Sequence, residues 1–291
     1  PAYSRLAIPV GQIAEEAKTP MIATTASNPN VTAGRSFVYR VSFSDNEQGP
    51  LLAALVAGEL NSSTAAIIYQ ADDIYSSYLA SGIMAYWEYL NNSLAAFVSF
   101  NKTNIEESNF ETQASEIAKA NASVLFAPIQ GQQVSGVINA IEKAGWHGII
   151  VGGDGWSESD IFLKECGKAC EGAYFSANFI SDGSVGYSKR FVDKYVATYG
   201  VMPSDKAALA YDAMNLIKEG LEQNGQWTCD LSQNRVNLER GIQNITNFQG
   251  VGGDIHSFDA NGDPVDKCIT IGRVSNTSEP TFLYRYCAGS L

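Results

Sequence analysis

The sequence predicts an α/β protein with a doubly wound layer of parallel strands, and three observations carry that expectation. From about Ser63 onward, short β-branched or apolar runs alternate with stretches of helical spacing. Those runs are continuously apolar rather than alternating, as in strands of a parallel sheet covered on both faces. The 291 residues, 45% apolar with 14 Tyr, 13 Phe and 4 Trp, supply enough apolar surface for the packed cores of one to two domains.

In chain order, the first 45 residues hold an amphipathic helix (Ile8–Lys18), a strand (Pro20–Thr24), a Ser-Asn-Pro turn and a second strand (Phe37–Ser42). Strands then follow at Ala65–Tyr69, Ala95–Phe100, Ser123–Pro128 and Gly148–Gly152. Between them the spacing predicts helices over Tyr75–Leu90, Phe110–Ala120 and Val134–Ala144. Strand–helix–strand repeats of this kind build a doubly wound sheet with right-handed crossovers. A strand at Ala173–Phe179 opens a different region, with helices over Tyr187–Tyr199, Ser204–Asn224 and Leu231–Thr246. Then come a strand at Val251–Asp259, an Asn261-Gly262 turn that signals a hairpin, and a strand at Lys267–Val274. Neither terminal portion has enough strands for a sheet of its own, so both are expected to share one lobe while the middle forms another. The opening Pro1-Ala2-Tyr3-Ser4 stands before a helix with no strand to carry it, which points to upstream material absent from this sequence.

Composition excludes several functions. A net charge of −12 repels a phosphate backbone, so no nucleic-acid partner is expected. The longest apolar run, Leu51–Ala57, is far short of the ~20 residues that cross a bilayer. No secretion signal is visible, so any signal has been removed. The chain carries no nucleophile elbow, zinc-protease motif or phosphate-binding loop, and with two histidines a catalytic triad has no support. Gly250-Val251-Gly252-Gly253 leads into a strand rather than a helix, the reverse of a dinucleotide site. Asp259-Ala260-Asn261-Gly262-Asp263 starts like a calcium loop but puts Pro264 where glycine belongs and Thr270 where a bidentate glutamate belongs. A polar hairpin tip is the better reading, and no cofactor or metal is expected. Of the five cysteines, Cys166 and Cys170 suit a local disulfide, with free thiols as the alternative. A disulfide favours an oxidising compartment.

Polar residues gather at strand ends, where open α/β sheets bind ligands. Ser4 precedes a helix, either as a plain N-cap or as part of a carboxylate site at a helix N-terminus. The strand at Pro20–Thr24 runs into Thr25, Ala26 and Ser27, and Pro29 keeps Asn28 out of helical geometry. Asp45 follows the strand Phe37–Ser42. Tyr75 follows Asp72-Asp73-Ile74, and Asp154 follows Gly152-Gly153 with Trp156 close behind.

In order and spacing these strings, together with Thr19-Pro20-Met21-Ile22, Phe37-Val38-Tyr39-Arg40, Ala210-Tyr211-Asp212-Ala213 and Ser257-Phe258-Asp259-Ala260-Asn261-Gly262-Asp263, resemble the type I periplasmic solute-binding proteins of ABC transporters. The likeness is to their leucine/isoleucine/valine-binding branch and runs along nearly the whole chain. It implies two doubly wound, Rossmann-like lobes joined by a three-strand hinge and closing on a ligand in the cleft between them. Residues 1–44 with 178–252 would form lobe 1, and 45–177 lobe 2, with 253–291 crossing the hinge to pack on both. By the same resemblance Ser4 binds the α-carboxylate of an amino acid, Ser27 touches both its carboxylate and its ammonium, Thr25 contributes a backbone contact and Asp45 is the hinge-side acid. Tyr75 closes from the second lobe, and Asp154 pairs with the α-ammonium, which needs such a partner when buried.

The sequence also departs from that branch. Asp154 replaces a longer glutamate, and Gln130 stands where an aromatic flanks the side-chain pocket, with Ile129 and Trp156 available to reshape it. The family's opening βα units, roughly 60–70 residues, have no counterpart before Pro1, leaving lobe 1 with strand edges that could recruit a second chain. The expectation is an extracytoplasmic receptor, with a lipid anchor as one way of being held there. It would deliver a small aliphatic or branched-chain amino acid to a membrane permease. The alternatives are a sensory domain of the same fold, whose transmembrane or output segment is absent up to Leu291, and a receptor for an amide, urea or aromatic acid. An enzyme is not expected.

Overall fold

The computed structural model describes residues 1–101, 110–158, 160–224 and 227–287 and divides the chain into two units. Unit 1 comprises Pro1–Ser44, Gly183–Ile269 and the residues from Arg285 onward, and unit 2 comprises Asp45–Asp182 and Thr270–Tyr284. The chain therefore leaves unit 1 after Ser44 and returns after Asp182 rather than after residue 177. The segment from 253 contributes to both units: it folds with unit 1 as far as Ile269, with unit 2 over 270–284 and with unit 1 again from Arg285.

Unit 1 begins with α1 (Ser4–Glu16), β1 (Met21–Ala23) and β2 (Val38–Arg40). Helix α1 starts four residues earlier than the sequence suggests and carries Pro9 inside it, where the missing N–H removes only one hydrogen bond near the start. Strands β1 and β2 pair in parallel, Met21 against Val38 and Ala23 against Arg40.

Unit 2 follows with α2 (Asp45–Gly58), β3 (Thr64–Gln70), α3 (Ile74–Tyr89), β4 (Ser93–Phe100), α4 (Glu111–Ala120), β5 (Val124–Ala127), α5 (Gly131–Lys143), β6 (Ile149–Gly152), α6 (Asp160–Cys166) and β7 (Tyr174–Ala177). Helix α2 has no counterpart in the sequence reading. Gly49 and Pro50 break up its pattern, and Leu51, Leu52, Leu55 and Val56 bury it without a single apolar stripe, as in a helix covered on several sides.

The chain then adds α7 (Gly186–Tyr199), α8 (Asp205–Asn224) and α9 (Leu231–Gln243) to unit 1, with the short antiparallel pair β8 (Ser257–Phe258) and β9 (Pro264–Val265). The strand expected over Val251–Asp259 is reduced to β8 and a single bridge between Phe248 and Ile255. The Asp212 carboxylate accepts the N–H groups of Val251 (2.7 Å) and Gly252 (2.8 Å), so a side chain takes the donors that a ladder would have used. Strands β10 (Ile269–Val274) and β11 (Pro280–Tyr286) complete the larger sheet.

That sheet runs β11-β10-β7-β6-β5-β3-β4. Strands β4 to β7 and β3 are mutually parallel, and β10 is antiparallel to β7. The chain passes from β3 outward to β4, then crosses back to β5 on the other side of β3, which makes β3/β5 the switch point where loops diverge. Phe100, Leu125, Val134, Ile138, Trp146 and Phe175 are among the residues of the unit 2 core. Unit 1 packs Tyr39, Leu209, Leu216, Ile242 and Phe258 in one cluster and Ala7, Ala23, Val31 and Val38 in another.

Disulfides join Cys166 to Cys170 and Cys268 to Cys287, and Cys229 is free and exposed. The first is the local pairing expected. The second ties the residue before β10 to the residue after β11, a pairing that spacing alone cannot give. Among the described residues no helix is long and apolar enough to cross a membrane.

Candidate functional site

The polar residues at strand ends fall into two sets, one in each unit. In unit 2, Tyr75 follows β3, Gln130 follows β5 and Asp154 follows β6, all at the carboxyl ends of parallel strands around the switch point. Asp45 joins them from the first turn of α2.

Gln48, one turn after Asp45 on α2, organises this set. Its Nε2 donates to Asp45 Oδ1 (2.8 Å) and to Asp154 Oδ1 (3.1 Å). Its Oε1 accepts the Asp154 N–H (2.9 Å) and the Ser176 hydroxyl (2.6 Å). One neutral amide thus makes two donations and two acceptances, and holds two carboxylates side by side. All three residues are buried. The Tyr75 hydroxyl accepts the Gly155 N–H (3.0 Å) and is hydrogen-bonded to Asp154. Burial first, then the charges of Asp154 and Asp45, hold the Tyr75 phenol well above its ordinary pKa, so it stays protonated and can donate. Gly153 lets this packing close: a Cβ there would sit 2.5 Å from the Tyr75 hydroxyl oxygen. The result is a preassembled cluster of two carboxyl groups and a phenol around one amide.

Gln130 and Trp156 are differently employed. Gln130 donates from Nε2 to Asp73 Oδ2 (3.1 Å) as the residue before α5. Trp156 is fully buried within the unit 2 core, its indole N–H donated to the Ala127 carbonyl (2.9 Å). Trp156 packs as a core residue directly behind the Asp154 loop. Asp45 and Asn46 also line a groove of about 420 Å³ between α2 and α3, with Tyr78, Tyr86 and Tyr89.

In unit 1, Ser4 is the first residue of α1 rather than its cap. Tyr3 occupies the cap position with no side-chain capping bond, so the simple N-cap reading of Ser4 does not hold. The buried Ser4 hydroxyl accepts the Asn28 N–H (3.3 Å) and keeps its own proton to donate. Ser27, next in the chain to Asn28, is 1% exposed, and its hydroxyl has no protein partner. Thr25 donates its hydroxyl to the Ala2 carbonyl (2.8 Å). Ser4 and the 27–28 peptide are therefore brought together, with one buried hydroxyl left open.

Two polar centres had not been singled out in the sequence. Gln48 was hidden because α2 was not recognised, although Asp45 and Gln48 at i, i+3 are neighbours on any helix. Arg40 lies inside a quoted string but carries no obvious sign that its side chain turns inward. It is 0% exposed. The hairpin-tip acids are used internally: Asp259 Oδ1 accepts the N–H groups of Asn261 and Asp263 (2.8 and 2.9 Å). Among the described residues no cluster of three or more His, Cys, Asp or Glu could hold a metal ion.

Comparison with known proteins places the chain in a family. The family model described as periplasmic binding protein matches residues 1–279. The chain belongs to that family. A curated relative, the Leu/Ile/Val-binding protein homolog 3 of Brucella melitensis, is 22% identical over 76% of this chain. The chain's match spans 58% of that relative's length. A leucine-binding protein from Thermotoga maritima is 26% identical with a TM-score of 0.91, covering 100% of this chain and 79% of its own. A solute-binding protein from R. palustris, solved with benzoate, shares the fold at 18% identity and a TM-score of 0.83, covering 97% of this chain and 75% of its own. These relatives are solute-binding proteins rather than enzymes, from a family that works outside the cytoplasm.

Proposed function

We propose that this chain captures a small zwitterion, an amino acid of the aliphatic or branched-chain class, for delivery to the permease of an ABC transporter. In this reading the hydroxyls of Ser4 and Ser27 in unit 1 take the carboxylate, and Asp154 neutralises the ammonium, with Tyr75 and Asp45 beside it. The observation that carries it is the Gln48 amide holding two carboxylates together next to a protonated Tyr75. A locus of that sign favours a cationic group over an anion. The buried, open hydroxyl of Ser27 suits the opposite pole. The name of the Thermotoga relative supports leucine or a similar ligand.

A second reading is an aromatic acid, favoured by the benzoate-bound relative and by polar Gln130 where an aromatic was expected. It explains the unit 1 hydroxyls but leaves the unit 2 acids without a purpose. Association with a second chain through the edges of the β1–β2 pair, and a lipid anchor, also belong to the proposal. A two-stranded sheet offers an open edge on each side.

The test is a thermal-shift screen of the natural full-length protein against the twenty amino acids, aliphatic amides and aromatic acids. A true ligand raises the melting temperature by mass action. A shift with benzoates and none with amino acids would reverse the assignment.

A further inference from the structure

The loop that carries Ser27 is held from behind by one side chain, whose donors are all committed to holding it. Arg40 ends β2 and is 0% exposed. A guanidinium has five N–H donors in a fixed fork, and here each has an acceptor. Nη1 donates to the carbonyls of Ala26 and Asn28, both at 3.1 Å. Nη2 donates to the Pro29 carbonyl (3.4 Å) and the Thr32 hydroxyl (2.7 Å). Nε donates to Asp263 Oδ1 (2.6 Å). Three carbonyls of 26–29 thus converge on one planar cation, and two of them belong to the residues on either side of Ser27.

The anchor has a second tie. The Thr32 hydroxyl donates to the same Asp263 oxygen (2.6 Å), closing a triangle of Arg40, Thr32 and Asp263. Asp263 is positioned in turn by the hairpin tip, where Asp259 accepts its N–H (2.9 Å). Gly262 lies so close to β2 that a Cβ would sit 2.2 Å from the Val38 carbonyl oxygen, and its own carbonyl accepts the Arg40 N–H (3.1 Å). The tip that resembles a broken calcium loop therefore acts as a strut.

We propose that Arg40, locked by Asp263, is the positioning residue of the Ala26–Thr32 loop and so fixes where the Ser27 hydroxyl presents itself to ligand. The inference rests on the functional reading above for the role of Ser27, and on unit 1 geometry alone for the clamp. Lysine cannot replace arginine here, because three donors on a point charge cannot reach five acceptors spread around a plane. The device leaves the loop few alternative conformations in the free protein, so a ligand meets groups already in place.

The experiment compares wild type with Arg40→Lys and Asp263→Ala, and with Leu216→Ala as a core control in the same unit. Hydrogen exchange is read at the amides of Ser27, Asn28 and Asn30–Thr32, affinity by calorimetric titration with L-leucine, and stability by melting temperature. The clamp predicts exchange at 27–32 at least about tenfold faster in both clamp variants, since lost hydrogen bonds open the segment locally, and leucine affinity lowered by at least about the same factor. Leu216→Ala should lower the melting temperature while leaving both readouts unchanged. Unchanged exchange at 27–32 in both clamp variants overturns the proposal, and so does faster exchange with unchanged leucine affinity. If Arg40→Lys does not fold, Asp263→Ala decides alone, since the Asp263 side chain is partly exposed. If wild type gives no heat with L-leucine, the amino-acid reading fails, and the exchange result still decides whether Arg40 holds the loop.

Discussion

The two units solve the problem of presenting polar groups in opposite ways. Unit 2 ties its site acids together through a shared amide: Gln48 commits both donors and its carbonyl to Asp45, Asp154 and Ser176. Unit 1 leaves Ser27 open and places the saturated network behind the loop, at Arg40. The difference follows from charge. Two buried carboxylates without fixed donors would repel each other or take up protons, so they must be preassembled. An uncharged hydroxyl costs far less when left open, and only its backbone needs fixing.

The largest expected effect lies at Asp154. Asp154→Asn keeps the shape of the side chain but removes its charge, and should weaken amino-acid binding by about 2–5 kcal/mol, the range for losing one partner of a buried charge pair. A titration showing wild-type affinity for leucine and alanine would remove the ammonium from unit 2. Gln48→Leu comes next. It takes the shared donor from two carboxylates and the acceptor from the Asp154 N–H and the Ser176 hydroxyl, and should cost about 2–4 kcal/mol of unit 2 stability in urea unfolding. An unchanged midpoint would mean that the acids do not depend on the amide. Ser27→Ala separates the units most sharply. Its hydroxyl has no protein partner, so stability should hold or rise slightly while binding falls by about 1–3 kcal/mol. Loss of stability would instead make Ser27 a structural residue.

An effect on pH dependence alone concerns a buried pair in unit 1 away from these loops. Lys267 donates to the Gly253 carbonyl (2.6 Å), and burial lowers its pKa to about 8 despite the nearby Asp212. Burial raises the Asp212 carboxyl, with Lys267 opposing. The folded protein releases the Lys267 proton near pH 8, whereas the unfolded chain keeps it to about pH 10.4. In that window the unfolded state binds more protons, so this group makes folding more favourable as pH rises. The melting temperature of wild type relative to Lys267→Met should therefore increase between pH 8 and 10. A flat or falling difference would contradict the depressed pKa.

The α/β alternation of unit 2 was legible because β3, β5 and β6 are short apolar runs set off by helical spacing. The positions of Asp45, Tyr75 and Asp154 at element ends were legible for the same reason. Gln48 was not, because Gly49 and Pro50 masked the helix that places it beside Asp154. The packing of Trp156 was not legible, because glycines before an aromatic suit a pocket as well as a core, and only the fold buries its indole. Arg40 could not be read because its five acceptors come from residues 26–32 and from Asp263, brought together only by the fold. The Val251–Asp259 strand failed because a distant carboxylate, Asp212, claimed its N–H groups.

The most direct measurement is a paired calorimetric titration of L-leucine and 4-methylpentanoate, which share the carboxylate and the side chain and differ only in the ammonium. The account predicts leucine binding tighter by about a hundredfold or more, the value of a buried charge pair. Equal affinity for the two would contradict it.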